Sequence, residues 1–191
     1  MTTMADDQER AFWVFAYGSL IWKPGFDPVE SRIARLDGFT RRFGLTSEYY
    51  RGTPECPGLV LGLDWAPGHS CTGLALRVAA SEERAVRDYL AERELVSYAY
   101  FETLNPVTLL CDGPGQGQNV PAICYILDRS HQQYRGRMDP DDQARIIARA
   151  VGPSGPNVEY LENTLQQLRS HGIHDPDLEA MAEKVADCKV P

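Results

Sequence analysis

Apolar positions follow a strand-like rhythm through the first two thirds of the chain and a helical one through the last third. The unbroken run Phe12-Trp13-Val14-Phe15 predicts a buried first strand that stops at Tyr17-Gly18-Ser19. From Ser31 to Leu45, apolar residues at Ile33, Leu36, Phe39 and Phe43 are interleaved with arginines, which predicts a strand with one wet face. Leu59–Trp65 and Cys71–Val78 predict two strands joined by a turn at Pro67-Gly68. Tyr98–Cys111 predicts one or two strands and Val120–Leu127 another, with the glycine-laced segment 113–117 as a hairpin loop between them.

Helix signals are local and read differently. Ser81 is the expected N-cap of a helix that carries Glu82 and Glu83 in its first turn and runs to about Glu94. Asp139-Pro140-Asp141-Asp142 opens a second helix with a capping aspartate, a proline at the first helical position and acidic residues after it. Its stripe is Ala144, Ile147, Ala148 and Val151, ended by Gly152-Pro153. A further helix carries Val158, Leu161, Leu165 and Leu168 on one face, and a last one runs from about Pro176 to Ala186. Strands first, one helix inserted and helices last make an α+β chain. Residues 1–11 are expected to be a disordered leader and residues 12–188 a single domain. The proline-rich loop Trp22–Pro28 is either a cover over the core or the wall of a pocket.

Composition narrows the function classes. The 191 residues are 43% hydrophobic and 24% charged, ordinary for a soluble globular protein. A net charge of -8 argues against nucleic acid as a partner, and no apolar stretch approaches the length of a membrane span. The polar, acidic N-terminus is unlike a secretory signal, so a cytoplasmic location is expected. Five scattered cysteines, with no Cys-x-x-Cys pair, suit reduced thiols, several of them buried in strands. His171 and His174 lie in a glycine- and proline-bearing loop without a third ligand, so no metal is expected. Phosphate loops, serine elbows and zinc signatures are lacking.

Three features carry candidate chemistry. The Tyr17-Gly18-Ser19-Leu20 turn offers main-chain N–H groups and the Ser19 hydroxyl to a carboxylate or a polarised carbonyl. Glu92 and Glu94 stand at the C-terminal end of a helix, where the dipole disfavours their charge and burial would raise their pKa toward values useful for proton transfer. Helical spacing does not choose between them, since both sit at the margin of the apolar face. Tyr160 lies off the apolar stripe of its helix, and is either a half-exposed surface residue, the simpler reading, or a phenol aimed at something polar.

Four segments in order resemble the ChaC-type γ-glutamylcyclotransferases: Val14-Phe15-Ala16-Tyr17-Gly18-Ser19-Leu20-Ile21-Trp22-Lys23-Pro24-Gly25-Phe26; Arg51-Gly52-Thr53-Pro54 with Pro57-Gly58; Tyr89-Leu90 with Arg93-Glu94; and Gly152-Pro153-Ser154-Gly155-Pro156-Asn157 with Glu159-Tyr160-Leu161. The resemblance implies a small mixed β-barrel flanked by helices and an enzyme that cleaves glutathione to 5-oxoproline and cysteinylglycine. It implies Glu94 as the catalytic acid/base, Ala16, Tyr17, Gly18, Ser19 and Leu20 as the substrate-binding loop, and Tyr160 as a hydroxyl near the substrate. Two departures stand out. Ala16 replaces a glycine found in many relatives, and Leu95-Val96-Ser97-Tyr98 lacks the Gly-Gly-Tyr of some. In the implied reaction the substrate's own amine attacks its γ-carbonyl, so no cofactor or metal is required. Arg51 is a candidate partner for the substrate's distal carboxylate. Two other functions fit the same residues: a cyclotransferase for other γ-glutamyl amino acids or amines, and a non-catalytic small-anion binding or regulatory domain.

Overall fold

The computed structural model describes residues 12–95, 99–110 and 115–188. The expected leader 1–11, Tyr98, Cys111 and the first half of the glycine-laced hairpin loop lie outside the described residues. Two compact units emerge: Met1–Thr40 with Leu63–Asp128, and Arg41–Gly62 with Arg129–Pro191.

The first unit is built on a closed five-stranded barrel in the order β1-β3-β2-β4-β5. Its strands are β1 (Phe12–Ala16), β2 (Glu30–Ser47), β3 (Gly58–Val78), β4 (Tyr100–Leu109) and β5 (Asn119–Leu127), with β2 and β3 running on into the second unit. β1 pairs antiparallel with β3 on one side, with Phe15 opposite Ala75, and parallel with β5 on the other, with Val14 opposite Ile123. β4 and β5 form the expected hairpin, in register from Tyr100↔Leu127 to Thr108↔Asn119.

Side chains of alternate strand residues make its core: Phe15 and Tyr17, Ala34 and Leu36, Cys71 and Ala75, Val107 and Leu109, Ala122 and Cys124. Val14, Ile123 and Tyr125 are buried too, so β1 and β5 are covered on both faces. Burial on both faces is why β1 reads as an unbroken apolar run rather than an alternating one. Burial also pushes the Cys124 thiol up to about 12, a protonated thiol that serves packing.

Two local expectations in this unit change. The two strands expected over Leu59–Trp65 and Cys71–Val78 are one 21-residue strand. Gly68 bends it at φ 83°, and its halves take different partners: Leu74–Val78 pairs with β1, while Leu63 pairs with Ile126 of β5. A Pro-Gly signal reports a local bend, and which strand each half joins is decided elsewhere. Ser81 is not the cap of helix α1 (Glu83–Glu94). It sits inside a 3-10 turn, Ala80–Glu82, closed by the Glu82 N–H to Ala79 O bond of 3.0 Å, and Glu82 becomes the uncapped N-cap.

The second unit contains helices α2 (Pro140–Arg149), α3 (Asn157–Ser170) and α4 (Pro176–Asp187), packed on one another. Asp139 caps α2 as expected, accepting from the Asp141 and Asp142 N–H groups. Asp175 caps α4 through the Leu178 N–H, while its other oxygen takes the buried Arg41 guanidinium. α2 stops at Arg149, and Val151, expected in its stripe, is instead 55% exposed. There the two-residue strands β6 (Val151–Gly152) and β7 (Gly155–Pro156) pair into a small ribbon whose geometry takes Val151 out of the helix.

Candidate active site

Helix α1 places the two glutamates in different surroundings. Val86 and Leu90 are its buried residues, and Glu94 lies one turn beyond Leu90 on the same face. Glu92, two positions earlier, is exposed, whereas the Glu94 side chain is only 16% exposed. The helix ends there, its last bond running from the Leu95 N–H to Ala91 O at 3.0 Å. Burial pushes the Glu94 carboxyl above the usual carboxylate range, and the adjacent Arg93 guanidinium pulls it part of the way back. An acid held in that state takes and returns a proton nearer neutrality than an exposed glutamate does.

The expected substrate loop follows β1 directly. Ala16 is the last residue of that strand, fully buried and opposite Leu74, with its carbonyl against Gly73, where a Cβ would come within 2.3 Å of the oxygen. Tyr17 turns its side chain into the barrel, its hydroxyl donating to Tyr125 O at 2.9 Å. Gly18 has a negative φ of -137° and precedes a short 3-10 helix, Ser19–Ile21, in which Leu20 and Ile21 are buried. Its function here does not depend on the left-handed region. The Gly18, Ser19 and Leu20 N–H groups open that helical turn and meet no acceptor among the described residues, while the Gly18 and Ser19 carbonyls accept from Ile21, Trp22 and Lys23. This leaves a short row of main-chain donors.

Arg93 joins this loop to the end of α1. Its Nη2 donates to Ser19 Oγ at 3.0 Å, its Nη1 to Tyr89 OH at 2.8 Å and to the Lys23 and Pro24 carbonyls, and its Nε pairs with Glu94 Oε1 at 3.0 Å. The loop lies against the helix because Gly25 has φ 79° and no side chain; a Cβ there would stand 2.0 Å from Tyr89 OH. The Trp22–Pro28 loop lies against the helix end through the contacts of Lys23, Pro24 and Gly25 with Arg93 and Tyr89. Sequence reasoning included Arg93 only as part of a motif. Three of its acceptors, Ser19, Lys23 and Pro24, lie 69 to 74 positions away along the chain, so spacing carries no signal of them.

A second polar chain adjoins this one. The Tyr125 hydroxyl donates to Glu102 Oε2 at 2.9 Å, and Arg87 stands 3.6 Å from the other Glu102 oxygen. Burial, the bond to Glu102 and the charges of Glu102 and Glu94 all push the Tyr125 phenol up, which keeps it protonated. Neither Tyr125 nor Glu102 was singled out from sequence. A tyrosine on a strand that reads as core gives no hint of a polar task.

In the second unit, Tyr160 is 5% exposed, so the surface reading is corrected: it is the phenol aimed at a polar group. Its hydroxyl accepts from the Leu61 N–H at 3.3 Å, and its ring packs edge-on against Phe43. α3 is therefore buried beyond the Val158–Leu168 stripe, with Thr164 also fully covered. Arg51 is buried beside it, donating to Pro156 O at 3.1 Å, 3.7 Å from Glu159, and 5.8 Å from the Tyr160 ring centre. Burial lowers its pKa, with Glu159 opposing the shift. Asn157 closes the cluster by exchanging two bonds with the Leu59 main chain, at 2.7 and 2.8 Å. The glycines at 52, 58 and 152 are where backbones meet: a Cβ on Gly58 would come 2.2 Å from Arg51 O, and one on Gly152 2.4 Å from Gly52 N.

Among the described residues, no group of three His, Cys, Asp or Glu could hold a metal, and no helix is long and apolar enough to cross a membrane.

Comparison with known proteins places the chain. It matches the family model for ChaC-like protein over residues 12–188. It is 34% identical to gamma-glutamylcyclotransferase 2-3 of Arabidopsis thaliana, over 92% of this chain and 88% of that protein. The glutathione-specific gamma-glutamylcyclotransferases of Escherichia coli and Schizosaccharomyces pombe are also 34% identical, covering 89% and 92% of this chain and 71% and 94% of theirs. Its structure is similar to that of a glutathione-specific γ-glutamyl cyclotransferase from yeast, with a TM-score of 0.82 at 27% identity over 94% of this chain and 97% of that one.

Proposed function

This chain belongs to the ChaC-like family and is a γ-glutamylcyclotransferase, and we propose that it cleaves glutathione to 5-oxoproline and cysteinylglycine with Glu94 as the acid/base. The observation that supports this reading is the buried Glu94 carboxyl, joined through one arginine to the Ser19 turn.

The reaction asks little of the protein. The γ-glutamyl amine is tethered to the carbonyl it attacks, so holding the substrate folded back supplies much of the rate. Glu94 takes the proton from the attacking ammonium and returns it to the leaving nitrogen of cysteinylglycine. The new C–N bond closes the five-membered ring as the old amide bond breaks, and no electrons are exchanged with any other group. The N–H groups of Gly18, Ser19 and Leu20 stabilise the oxyanion that develops on the γ-carbonyl. The resemblance also supports Tyr160 as a substrate-binding hydroxyl. Buried free thiols at Cys71 and Cys124 accord with a cytoplasmic, reducing location.

Mass spectrometry of products after incubation with glutathione, beside γ-glutamylalanine, tests the proposal. Release of 5-oxoproline and cysteinylglycine from glutathione is expected; a clear preference for γ-glutamylalanine would reassign the substrate. Glutathione bound but left intact would make the chain a binding domain.

A further inference from the structure

The proton transfer above leaves Arg93 without a part in the chemistry, yet this side chain is the most connected group at the end of α1. Neighbouring residues on a helix point in different directions, so an i, i+1 ion pair does not form by helical geometry alone. Here Arg93 and Glu94 do converge, with side chains 18% and 16% exposed. The guanidinium also reaches Ser19 Oγ, Tyr89 OH and the carbonyls of Lys23 and Pro24. These acceptors surround it, and a planar group with five donors can meet them together, whereas an ammonium is a point charge on a flexible stem.

We propose that Arg93 is a positioning residue for the cyclisation: its fork fixes the donor turn at Ser19 and the Glu94 carboxyl to each other, so that base and oxyanion donors keep one geometry through the reaction. The proposal rests on the reading of Glu94 as the base. Its second consequence is electrostatic. Arg93 is the cation that opposes the effect of burial on Glu94. Of the other groups around the carboxyl, the Tyr125 phenol of β5 interacts with its charge, Glu102 of β4 occupies the Tyr125 hydroxyl, and Arg87 of α1 pairs with Glu102. None of these replaces the lost cation if Arg93 is removed.

The test is glutathione turnover against pH, with kcat and KM separated, for wild type, Arg93→Gln, Arg93→Lys and Glu94→Gln, each checked by thermal melting. In Arg93→Gln the acidic limb of kcat/KM should move upward by about one pH unit, the lower end of what an adjacent opposite charge does. Its plateau should fall by about tenfold to a hundredfold, mainly in kcat, as for a misplacement of the reacting groups. Arg93→Lys retains the charge and should keep the limb near its wild-type position while still losing the plateau, and it carries the test if the glutamine variant does not fold. A folded Arg93→Gln with wild-type limb and plateau, or an Arg93→Lys that restores both in full, overturns the proposal. Full turnover in Glu94→Gln would instead overturn the reading of the base, so the two failures are distinct.

Discussion

Arg93 and Arg51 sit in closely similar surroundings, one in each unit, and they face very different glutamates. Each guanidinium lies by a tyrosine ring, at 5.9 Å from Tyr89 and 5.8 Å from Tyr160. Each donates to a main-chain carbonyl next to or on a proline, and each faces a glutamate, at 3.0 Å for Glu94 and 3.7 Å for Glu159. The glutamates differ. Glu94 is 16% exposed and its pKa is raised, while Glu159 is 57% exposed to solvent. A carboxylate in water gains little from a neighbouring arginine and offers little chemistry. A dry one is held between burial, which favours its protonated form, and the arginine, which favours its charge; that balance suits a group that must take a proton and give it back. In the second unit, Asn157 and Tyr160 of α3 bond main-chain groups of β3.

The largest effect expected from this contrast is on turnover at Glu94. Glu94→Gln keeps the shape and removes the base, and should lower kcat for glutathione by about 10²–10⁴-fold, the usual range for general acid–base catalysis. Asn157, in the second unit, should respond in stability instead. Asn157→Ala leaves a buried N–H and a buried carbonyl of Leu59 without these partners and should cost about 2–6 kcal/mol, at about 1–3 for each group, measured by urea unfolding.

A smaller effect sharpens the difference from the other side. Glu94 has its folded pKa above its unfolded value, so the folded protein binds this proton more tightly than the unfolded chain does. Its stabilising contribution is fully present below the unfolded pKa and is lost as pH rises through the folded one. Glu94→Gln, with no charge to bury, should therefore melt no lower than wild type above the folded pKa of Glu94, and wild type should gain on it as pH falls through that pKa, read by melting at several pH values. Tyr160→Phe removes one buried hydrogen bond to Leu61, and should change stability by no more than about 1 kcal/mol while lowering turnover. Glu92→Gln, on the exposed side of α1, should leave glutathione turnover within assay error; a loss like that of Glu94→Gln would dissolve the distinction between the two carboxylates.

What was legible in the sequence follows the range of the interactions involved. Asp139-Pro140 marked the start of α2, the Val158–Leu168 stripe marked α3, and the apolar run at Phe12 marked β1, because caps and periodicities are set by residues within a few positions of each other. The barrel, the Glu94 assignment and the substrate loop were carried by motif resemblance rather than by pattern. Local signals misled where a neighbouring element intervened: a 3-10 turn took in Ser81, the β6–β7 ribbon drew Val151 out of the helix, and Gly68 bent one strand where two were expected. By itself, then, the sequence determined the element types, most of their limits and the presence of two glutamates at a helix end. Only the tertiary structure decided which glutamate is dry, that Tyr160 is buried, and that Arg93 joins helix and turn. Those outcomes depend on partners such as Leu61, 99 positions from Tyr160, and Ser19, 74 from Arg93. Desolvation is set by what covers a group from outside its own element, and the spacing of residues along one element does not report it.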